Sequence, residues 1–457
     1  MLTRLLILLL LLVVPSHAWA GPRTSLGSVA DLGSMYSGAM GIGEGVTSSR
    51  PKFGIRAGDF VVQPRLFVES FYSSNFFRED ERNLGVALSE VMAMRLRPGV
   101  AIYNPGFTNV AVSMAVDADA LLPMGDDERV KDQADLGGDV HGKIDLFPKR
   151  ALTLALSGRF KRELWTRPSS GTRSADRNDV TVGTDLAFHP GGRALELRAG
   201  YKLNLLTYDD MSSQDTDSHN FSFQTSWRFF PLSYLVLDAS MRMVDYPEDD
   251  GSVVGAVGYH SEASPWKVIG GMNGYFSERL ALRLRGGYGD AMVETGANHT
   301  GPIADVRLTY RFGMQTAWHF GYNMDFETAA LGGFYTYHRG YSALEQNLGT
   351  LGRLHLDVGV DLRTFGTYVP ANSIVQVDGV DEPLTVTASD ANRTDMVVRA
   401  GLLMDFDFSR LFGLTAGYRY ESTVSDYSTT SVFQGESQAF FAGYTDHRVL
   451  VSLNLRY

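Results

Sequence analysis

The chain has 457 residues, with 48 glycines, 26 phenylalanines and 21 tyrosines beside only 16 prolines and no cysteine. The lack of cysteine excludes disulfide frameworks and thiolate metal sites, and a formal charge of −11 excludes a globally basic surface for nucleic acid. The glycine and aromatic excess argues against a helical solenoid and against a disordered chain, while a mean hydropathy of −0.10 resembles that of a soluble protein.

The amino terminus has the pattern of a secretory signal. Arg4 precedes a nearly unbroken apolar run over residues 5–14, and a small-x-small sequence ends at Ala20. That run is too short for a helix spanning about 30 Å of hydrocarbon, so residues 1–20 are predicted to be a signal peptide cleaved after Ala20. Residues 21–59 are rich in glycine and serine without a sustained period, which predicts a flexible periplasmic extension.

Strict alternation of apolar and polar residues dominates residues 60–457, and it indicates β-strands with two different faces. Leu152 and Leu156 fall on one face of such a segment, whereas Arg159 and Lys161 fall on the other. These segments run about ten to fourteen residues, near the 9–11 tilted residues that cross a bilayer core. A closed barrel turns so large an apolar face to lipid and leaves no unpaired edge. The sequence therefore predicts an all-β fold, a transmembrane antiparallel up-and-down β-barrel.

Short turns and long polar connections alternate between these segments, as they do in outer-membrane barrels with periplasmic turns and long outer loops. Eight short turns, with both chain ends on the turn side, predict eighteen strands. Sixteen strands is the alternative, because the segments at 257–275 and 334–344 alternate less clearly. The turns lie at 104–107, 147–150, 189–193, 230–233, 276–279, 312–315, 348–351 and 408–411, and the longer connections include 77–83, 166–178, 209–217, 245–251 and 366–392.

Aromatic residues are concentrated at the ends of the segments, which predicts two belts at the headgroup level. Ordinary core residues would account for their abundance but not for that placement. Many turns begin with phenylalanine, and the opposite ends carry Tyr72, Trp165, Tyr208, Tyr246, Tyr288 and Tyr420.

The face opposite the apolar stripe predicts a lumen with more basic than acidic side chains. Such a lumen would attract anionic solutes or polymers, because low-dielectric walls focus the field. The alternative for any single residue is a cross-strand pair with a carboxylate that stiffens the wall. The candidate pore-lining residues are Arg95, Arg97, Arg159, Lys161, Arg198, Lys202, Arg228, Arg242, Arg283, Arg285, Arg307, Arg311, Arg363, Arg399 and Arg419.

The sequence carries no motif for an enzyme. It has no His-Glu-x-x-His, no Gly-x-Ser-x-Gly, no Walker A loop and no dinucleotide-binding fingerprint. Four histidines, at 141, 319, 338 and 355, could face inward, but nothing in their spacing indicates a catalytic set. Acidic loop clusters lack the EF-hand spacing, so no cofactor and no metal site are predicted.

Three stretches give the chain a resemblance to a known family. Residues 62–77, with Pro64 and Asn75, look like the first strand of a family of outer-membrane β-barrel porins, some of which serve exopolysaccharide secretion in myxobacteria-like organisms. Phe-Pro turns, as at 147–148, and the terminal residues 453–457 are also similar, the latter to the aromatic-ended signal read by barrel assembly machinery. The resemblance implies a passive outer-membrane conduit without catalytic residues, working with periplasmic polysaccharide export proteins.

We therefore expect a channel in the outer membrane of a Gram-negative cell, surrounded by membrane lipids and lipopolysaccharide. The leading hypothesis is secretion of a surface polysaccharide, and the alternatives are general diffusion of small anionic solutes or a structural, surface-interaction role. The connection at 366–392 would constrict the pore if it folds inward, and would present a binding surface if it stands outward.

Overall fold

A computed structural model describes residues 54–456, except for 79, 83–88, 105–108, 126–127, 132–133, 164–175, 191–193, 210–214, 248–261, 295–297, 314, 330–332, 350–351, 367–372, 378–379, 389–392, 410, 426–427, 434–435 and 442. The predicted signal peptide, most of the predicted extension and Trp165 lie outside the described residues. No described helix is long and apolar enough to span a membrane.

The described chain is built almost entirely of strands, with one helical turn, α1 (Glu128–Lys131). The first twelve strands are β1 (Ile55–Ala57), β2 (Phe60–Ser73), β3 (Val91–Tyr103), β4 (Val110–Met124), β5 (Asp135–Leu146), β6 (Leu152–Glu163), β7 (Arg177–Phe188), β8 (Leu195–Tyr208), β9 (Thr216–Phe230), β10 (Ser233–Asp245), β11 (Trp266–Tyr275) and β12 (Leu280–Asp290). The others are β13 (Thr300–Arg311), β14 (Thr316–Ala329), β15 (Gly333–Asn347), β16 (Arg353–Phe365), β17 (Ser373–Val377), β18 (Val380–Ala388), β19 (Thr394–Asp407), β20 (Phe412–Ser425), β21 (Ser428–Phe433), β22 (Glu436–Phe441) and β23 (Tyr444–Arg456).

Eighteen long antiparallel strands close into a barrel, and the short β1 adds to the edge of β2. Closure is direct, because β2 pairs with β3 on one side and with the last strand, β23, on the other. Strand β16 pairs with β19, and β20 pairs with β23, so the intervening short strands stay outside the barrel sheet. The prediction of eighteen strands is confirmed, including β11 and β15 in the two segments where the alternation is weak.

Alternation along each strand decides which side chains face lipid. In β7, Val182 and Leu186 are 54% and 45% exposed on the outer face, whereas Thr181 and Asp185, each the preceding residue, occupy inward positions. Residues directly opposite one another on paired strands point to the same face, so the register carries this division around the whole barrel. Exposed apolar side chains on the outside are what a hydrocarbon environment requires.

The eight predicted short turns all join consecutive barrel strands at one end of the barrel. Phenylalanines at this end, such as Phe230 (64% exposed), Phe276 (60%) and Phe408 (64%), form an outward belt. At the other end Tyr72 and Tyr288 also face outward. Tyr208 does not, because its register partner is the inward-facing Arg177, and it is only 7% exposed; its assignment to a belt was wrong.

The connection predicted as a long loop at 366–392 contains two strands. β17 and β18 form a hairpin, and β18 pairs with β21 from the last long connection. Together with β22 they make a four-stranded antiparallel sheet that is separate from the barrel sheet. The sequence did not reveal this pairing, because it joins residues from two different connections.

Candidate functional site

The register places all fifteen candidate pore-lining residues on the inward face of the barrel. For example, Arg283 pairs with Arg307 and Arg399 pairs with Glu421, so each pair shares one face. The candidates lie on ten strands: Arg95 and Arg97 on β3, Arg159 and Lys161 on β6, Arg198 and Lys202 on β8, Arg228 on β9, Arg242 on β10, Arg283 and Arg285 on β12, Arg307 and Arg311 on β13, Arg363 on β16, Arg399 on β19 and Arg419 on β20.

One group of these arginines lies near the start of the barrel sheet. Arg95 holds Asp119 through two hydrogen bonds of 2.7 and 2.5 Å, and Arg97 donates to the same carboxylate at 3.1 Å. Arg65 on β2 forms a bidentate ion pair with Asp117. Here two guanidinium groups share the carboxylate of Asp119, and Glu69 lies directly opposite Arg95 on the same face, so the charges of this group are nearly balanced.

A second group lies on β12 and β13. Arg283 pairs with Asp305 at 2.5 Å, and Arg285 reaches Asp238 on β10 at 3.0 Å. Arg307 on β13 reaches towards β15, where its guanidinium lies over the ring of Tyr341, 5.5 Å from the ring centre. Three cations therefore lie beside two carboxylates on this part of the inner wall.

The third group, which we call the triple-arginine cluster, comprises Arg339, Arg363, Arg399 and the carboxylate of Asp361. Asp361 is only 2% exposed. It accepts hydrogen bonds from Arg339 at 2.7 and 2.9 Å and from Arg399 at 2.8 Å, with Arg363 at 3.5 Å. Arg399 also donates to Glu421 at 3.2 Å. The side chains of the three arginines remain 33%, 21% and 29% exposed, so they still meet solvent in the lumen.

Tyrosines run along the same wall. Tyr335, Tyr337 and Tyr341 occupy inward positions of β15. The guanidinium of Arg339 lies 5.2 Å from the ring centre of Tyr337, and that of Arg363 lies 5.8 Å from that of Tyr335. Guanidinium groups stacked on aromatic rings in this way keep their edge N–H groups for other acceptors.

Basic and acidic side chains on the inner face are closer to equal in number than the sequence predicts. Many of the predicted cations are paired with carboxylates, as in the pair of Arg159 with Asp139 on the neighbouring strand and the pair of Lys161 with Glu163 on the same strand. Within the described chain, the alternative that a cation pairs with a carboxylate therefore holds for Arg159 and Lys161. A surplus of cations is found only locally, in the second and third arginine groups. The inward positions that sequence reasoning missed include Asp117, Asp119, Lys143, Arg177, Asp179, Lys267, Arg339, Glu345, Asp395 and Asp446.

These missed residues obey the same alternation as the predicted ones, and for Asp119 on β4 the period was a sufficient signal. Arg339 is an exception, because it lies on β15, in a segment where the alternation is weak. Which carboxylate each arginine holds was not available from the sequence, because Arg65 and Asp117 are 52 residues apart and meet only through the strand register.

The histidines do not assemble a catalytic set within the described residues. His319 and His355 face inward, on either side of Glu345, at 3.7 and 3.9 Å. His338 faces outward instead, because its position on β15 is out of phase with the inward residues, and it hydrogen bonds the hydroxyl of Tyr322 at 2.7 Å. No described group of three or more acidic or histidine side chains could hold a metal ion.

Several solved structures match most of this chain at low sequence identity. OpdK of Pseudomonas aeruginosa, solved with vanillate, is 14% identical, with a TM-score of 0.48 over 87% of this chain and 99% of that one. OccK2 (OpdF) of the same organism is 13% identical, with a TM-score of 0.47 over 86% and 98%. The siderophore receptor PirA of Pseudomonas aeruginosa is 10% identical, with a TM-score of 0.46 over 88% and 81%. Similarities at this level carry no functional argument.

No curated protein sequence matches the chain. A family model does match, over residues 50–223, and its description is putative beta-barrel porin 2. That description concerns channels rather than enzymes. The matched part covers the strands from β1 to the middle of β9, which include the first arginine group. With a closed, lipid-facing barrel around a charged interior, the resemblance to an outer-membrane β-barrel porin family is confirmed, and the chain is a porin-like channel of the outer membrane.

Proposed function

We propose that this channel conducts a surface polysaccharide, of acidic type, outward across the outer membrane. The observation that carries the proposal is the local surplus of guanidinium groups on the inner wall, above all in the triple-arginine cluster. Planar guanidinium forks match the carboxylates of acidic sugars. The resemblance to barrels that serve exopolysaccharide secretion supports the same cargo.

The tyrosines of β15 supply the second half of the recognition. Sugar rings present C–H faces that pack on aromatic rings, and their hydroxyl groups need hydrogen-bond partners. Tyr335 lies beside Arg363, and Tyr337, only 8% exposed, lies under Arg339, so aromatic rings and N–H donors alternate on one wall, with Tyr335 as the more accessible of the two rings. Many weak contacts of this kind would hold a polymer in register without stopping its passage, as conduction requires.

A barrel of this kind supplies no energy of its own. The proposal therefore includes periplasmic export proteins that deliver the polymer to the turn end of the barrel, where the N-terminal extension would lie. It also includes export of the chain itself by the signal at residues 1–20, with cleavage after Ala20, and insertion by barrel assembly machinery into a membrane of lipids and lipopolysaccharide.

The second candidate is diffusion of small anionic solutes. The partial exposure of Arg339, Arg363 and Arg399 favours it, because solvated guanidinium groups attract any small anion that enters the lumen. In this version the wall selects by charge alone, and the tyrosines have no role in recognition.

Deletion of the gene distinguishes polysaccharide export from diffusion of small anions. We expect a strain without the gene to lose surface carbohydrate, and wild-type protein to restore it. A double variant, Arg339→Gln with Arg399→Gln, is expected to restore much less. The matched control is Arg150→Gln, which removes an arginine on a turn, where it stacks on Phe147. Unchanged surface carbohydrate in the deletion strain, together with lost uptake of small anions, would reject export and support the second candidate.

A further inference from the structure

Three histidines on the barrel strands face outward, towards lipid, and all three repeat one arrangement. His219, His338 and His447 lie on β9, β15 and β23, and the Nδ1 atom of each lies 2.9, 2.7 and 2.8 Å, respectively, from a tyrosine hydroxyl. Each is the fourth or sixth residue from the loop-side end of its strand. Within the described strands, the turn-side half of the outer face carries no histidine. This asymmetry indicates a role that concerns one leaflet of the membrane.

The pair of Tyr418 with His447 lies at the head-group level of the loop-side leaflet. Its outward direction follows from the register, because Tyr418 is opposite Val449, and these two side chains are 38% and 49% exposed. On the other side, Val449 is opposite Tyr72, which belongs to the aromatic belt at the loop end. His447 lies two residues further towards the loops than Val449, so it is beyond the belt, where hydrocarbon gives way to head groups.

Further polar groups surround His447 on the same face. Tyr420 is directly opposite on β20, with its ring centre 5.1 Å from that of the imidazole. Next towards the loops, Thr445 is opposite Ser422, and their hydroxyl oxygens are 3.0 Å apart. We call Tyr418, Tyr420, Ser422, Thr445 and His447 the β20–β23 patch. It combines one imidazole with four hydroxyl groups on a surface that faces lipid.

The hydrogen bond inside the pair decides which ring nitrogen is available to a ligand. A phenol is a better donor than acceptor, and a bare imidazole nitrogen is a good acceptor, so the hydroxyl of Tyr418 donates to Nδ1 of His447. The hydrogen of the neutral imidazole is then on Nε2. Among the described residues, none makes a hydrogen bond with that atom. An unpaired N–H group is costly beside lipid, so the lipid itself has to supply an acceptor.

The charges around the patch favour a phosphate as this acceptor. The outward positions of β2, β19, β20 and β23 carry no charged side chain, so no carboxylate on these strands repels an anion. The pair at His219 differs, because Asp217 on the same face lies opposite Asp245. Hydrogen bonds from neutral donors to a phosphate are charge-assisted and strong. Hydroxyl groups beside such a donor suit the hydroxyl groups of a sugar.

We infer that the β20–β23 patch binds the phosphorylated sugar head group of lipopolysaccharide. Nε2 of His447 and the hydroxyl of Tyr420 donate to a phosphate, and the hydroxyl of Thr445 binds the sugar. The occupant is lipopolysaccharide rather than a phospholipid, because the outward histidines of the described strands lie in the loop-side half, and the long connections put that half in the outer leaflet. The site is on the outside of the barrel, so it does not depend on what the lumen conducts.

Binding of two lipids to purified variants tests the inference. In the patch variant, Tyr418→Phe with His447→Phe, both positions keep an aromatic ring and lose their polar atoms. The control variant, Tyr201→Phe with His219→Phe, removes the same kind of pair from the site that has carboxylates beside it. The probes are lipid A, which is the phosphorylated disaccharide anchor of lipopolysaccharide, and phosphatidylethanolamine. Binding to detergent-solubilised protein is measured by native mass spectrometry, and folding is checked by the heat-dependent shift in gel mobility.

We expect the patch variant to bind lipid A about tenfold more weakly than wild type, the effect of losing one hydrogen bond to a charged group. The control variant should bind lipid A like wild type. Equal binding of lipid A by the folded patch variant and by wild type would overturn the site, and an equal loss in both variants would overturn its assignment to this patch. A loss of the same size for phosphatidylethanolamine would overturn lipopolysaccharide as the occupant.

Thermal unfolding with and without lipid A separates binding from a structural role of the pair. A ligand that binds only the folded protein raises its melting temperature, so lipid A should stabilise wild type and the control variant more than the patch variant. If the patch variant is instead destabilised by the same amount with and without lipid A, the pair only supports the wall and the inference is wrong.

Discussion

Replacement of Asp361 by asparagine should make the channel more selective for anions. Asp361 is the carboxylate that the three arginines of the cluster share. The change Asp361→Asn keeps the shape of the side chain and removes its negative charge. The local charge of Arg339, Arg363, Arg399 and Asp361 together then rises from +2 to +3.

The size of the effect follows from Coulomb's law. An anion passing about 8 Å from the removed charge gains about 0.5 kcal/mol if the lumen screens like bulk water, and about 2 kcal/mol at an effective dielectric constant near 20. The lumen is wet but bounded by a low-dielectric wall, so a value between these limits is expected. We predict that the ratio of chloride to potassium permeability rises about two- to tenfold, because 1.4 kcal/mol corresponds to a factor of ten.

The assay is the reversal potential across a planar bilayer in a potassium chloride gradient. It should be run at low ionic strength as well, because screening with a Debye length of about 8 Å at physiological salt weakens the effect. Asp361→Glu is the control that keeps the charge. A folded Asp361→Asn protein with the wild-type reversal potential at both salt concentrations would refute the reasoning, because the cluster would then not face the path of the ions.

Three further predictions test the barrel and its orientation. Val182→Arg, in the middle of the outer face of β7, should destabilise the folded barrel by about 2–4 kcal/mol in lipid vesicles, whereas the inward neighbour change Thr181→Arg should be tolerated; equal losses would contradict the assignment of faces. Proteinase K added to intact cells should cut within 366–392 and spare the turn at 147–150, and the reverse pattern would overturn the orientation. The guanidinium of Arg82 lowers the pKa of Asp80 by a hydrogen bond, so the contribution of this contact to stability is present above the ordinary pKa of the carboxyl and is lost only as pH falls through the lowered value. Unfolding in lipid vesicles should therefore give the same difference in stability between wild type and Asp80→Asn at pH 7 and at pH 5, and a difference that disappears by pH 5 would contradict this.

The sequence by itself determined the class of fold, favoured eighteen strands over sixteen, and determined the face of each side chain in the segments that alternate clearly. These properties follow from the period of two and from the tight turns, which are local and depend only on neighbouring residues. The same rule placed the predicted arginines inward and would have placed Asp119 there too. The belt prediction failed for Tyr208, because an aromatic residue at a strand end fits the pattern of a belt whether it points to lipid or to the lumen.

The tertiary structure alone decided which charges meet and what occupies the lumen. Asp361 joins Arg339 and Arg399, 22 and 38 residues away, and such pairs depend on the register and tilt of several strands. In the same way, β18 pairs with β21 from another connection, and Phe76, in the connection between β2 and β3, packs on the inner wall. These contacts form between residues far apart in the chain, so their free energy depends on the closed barrel, and no local pattern of residues encodes it.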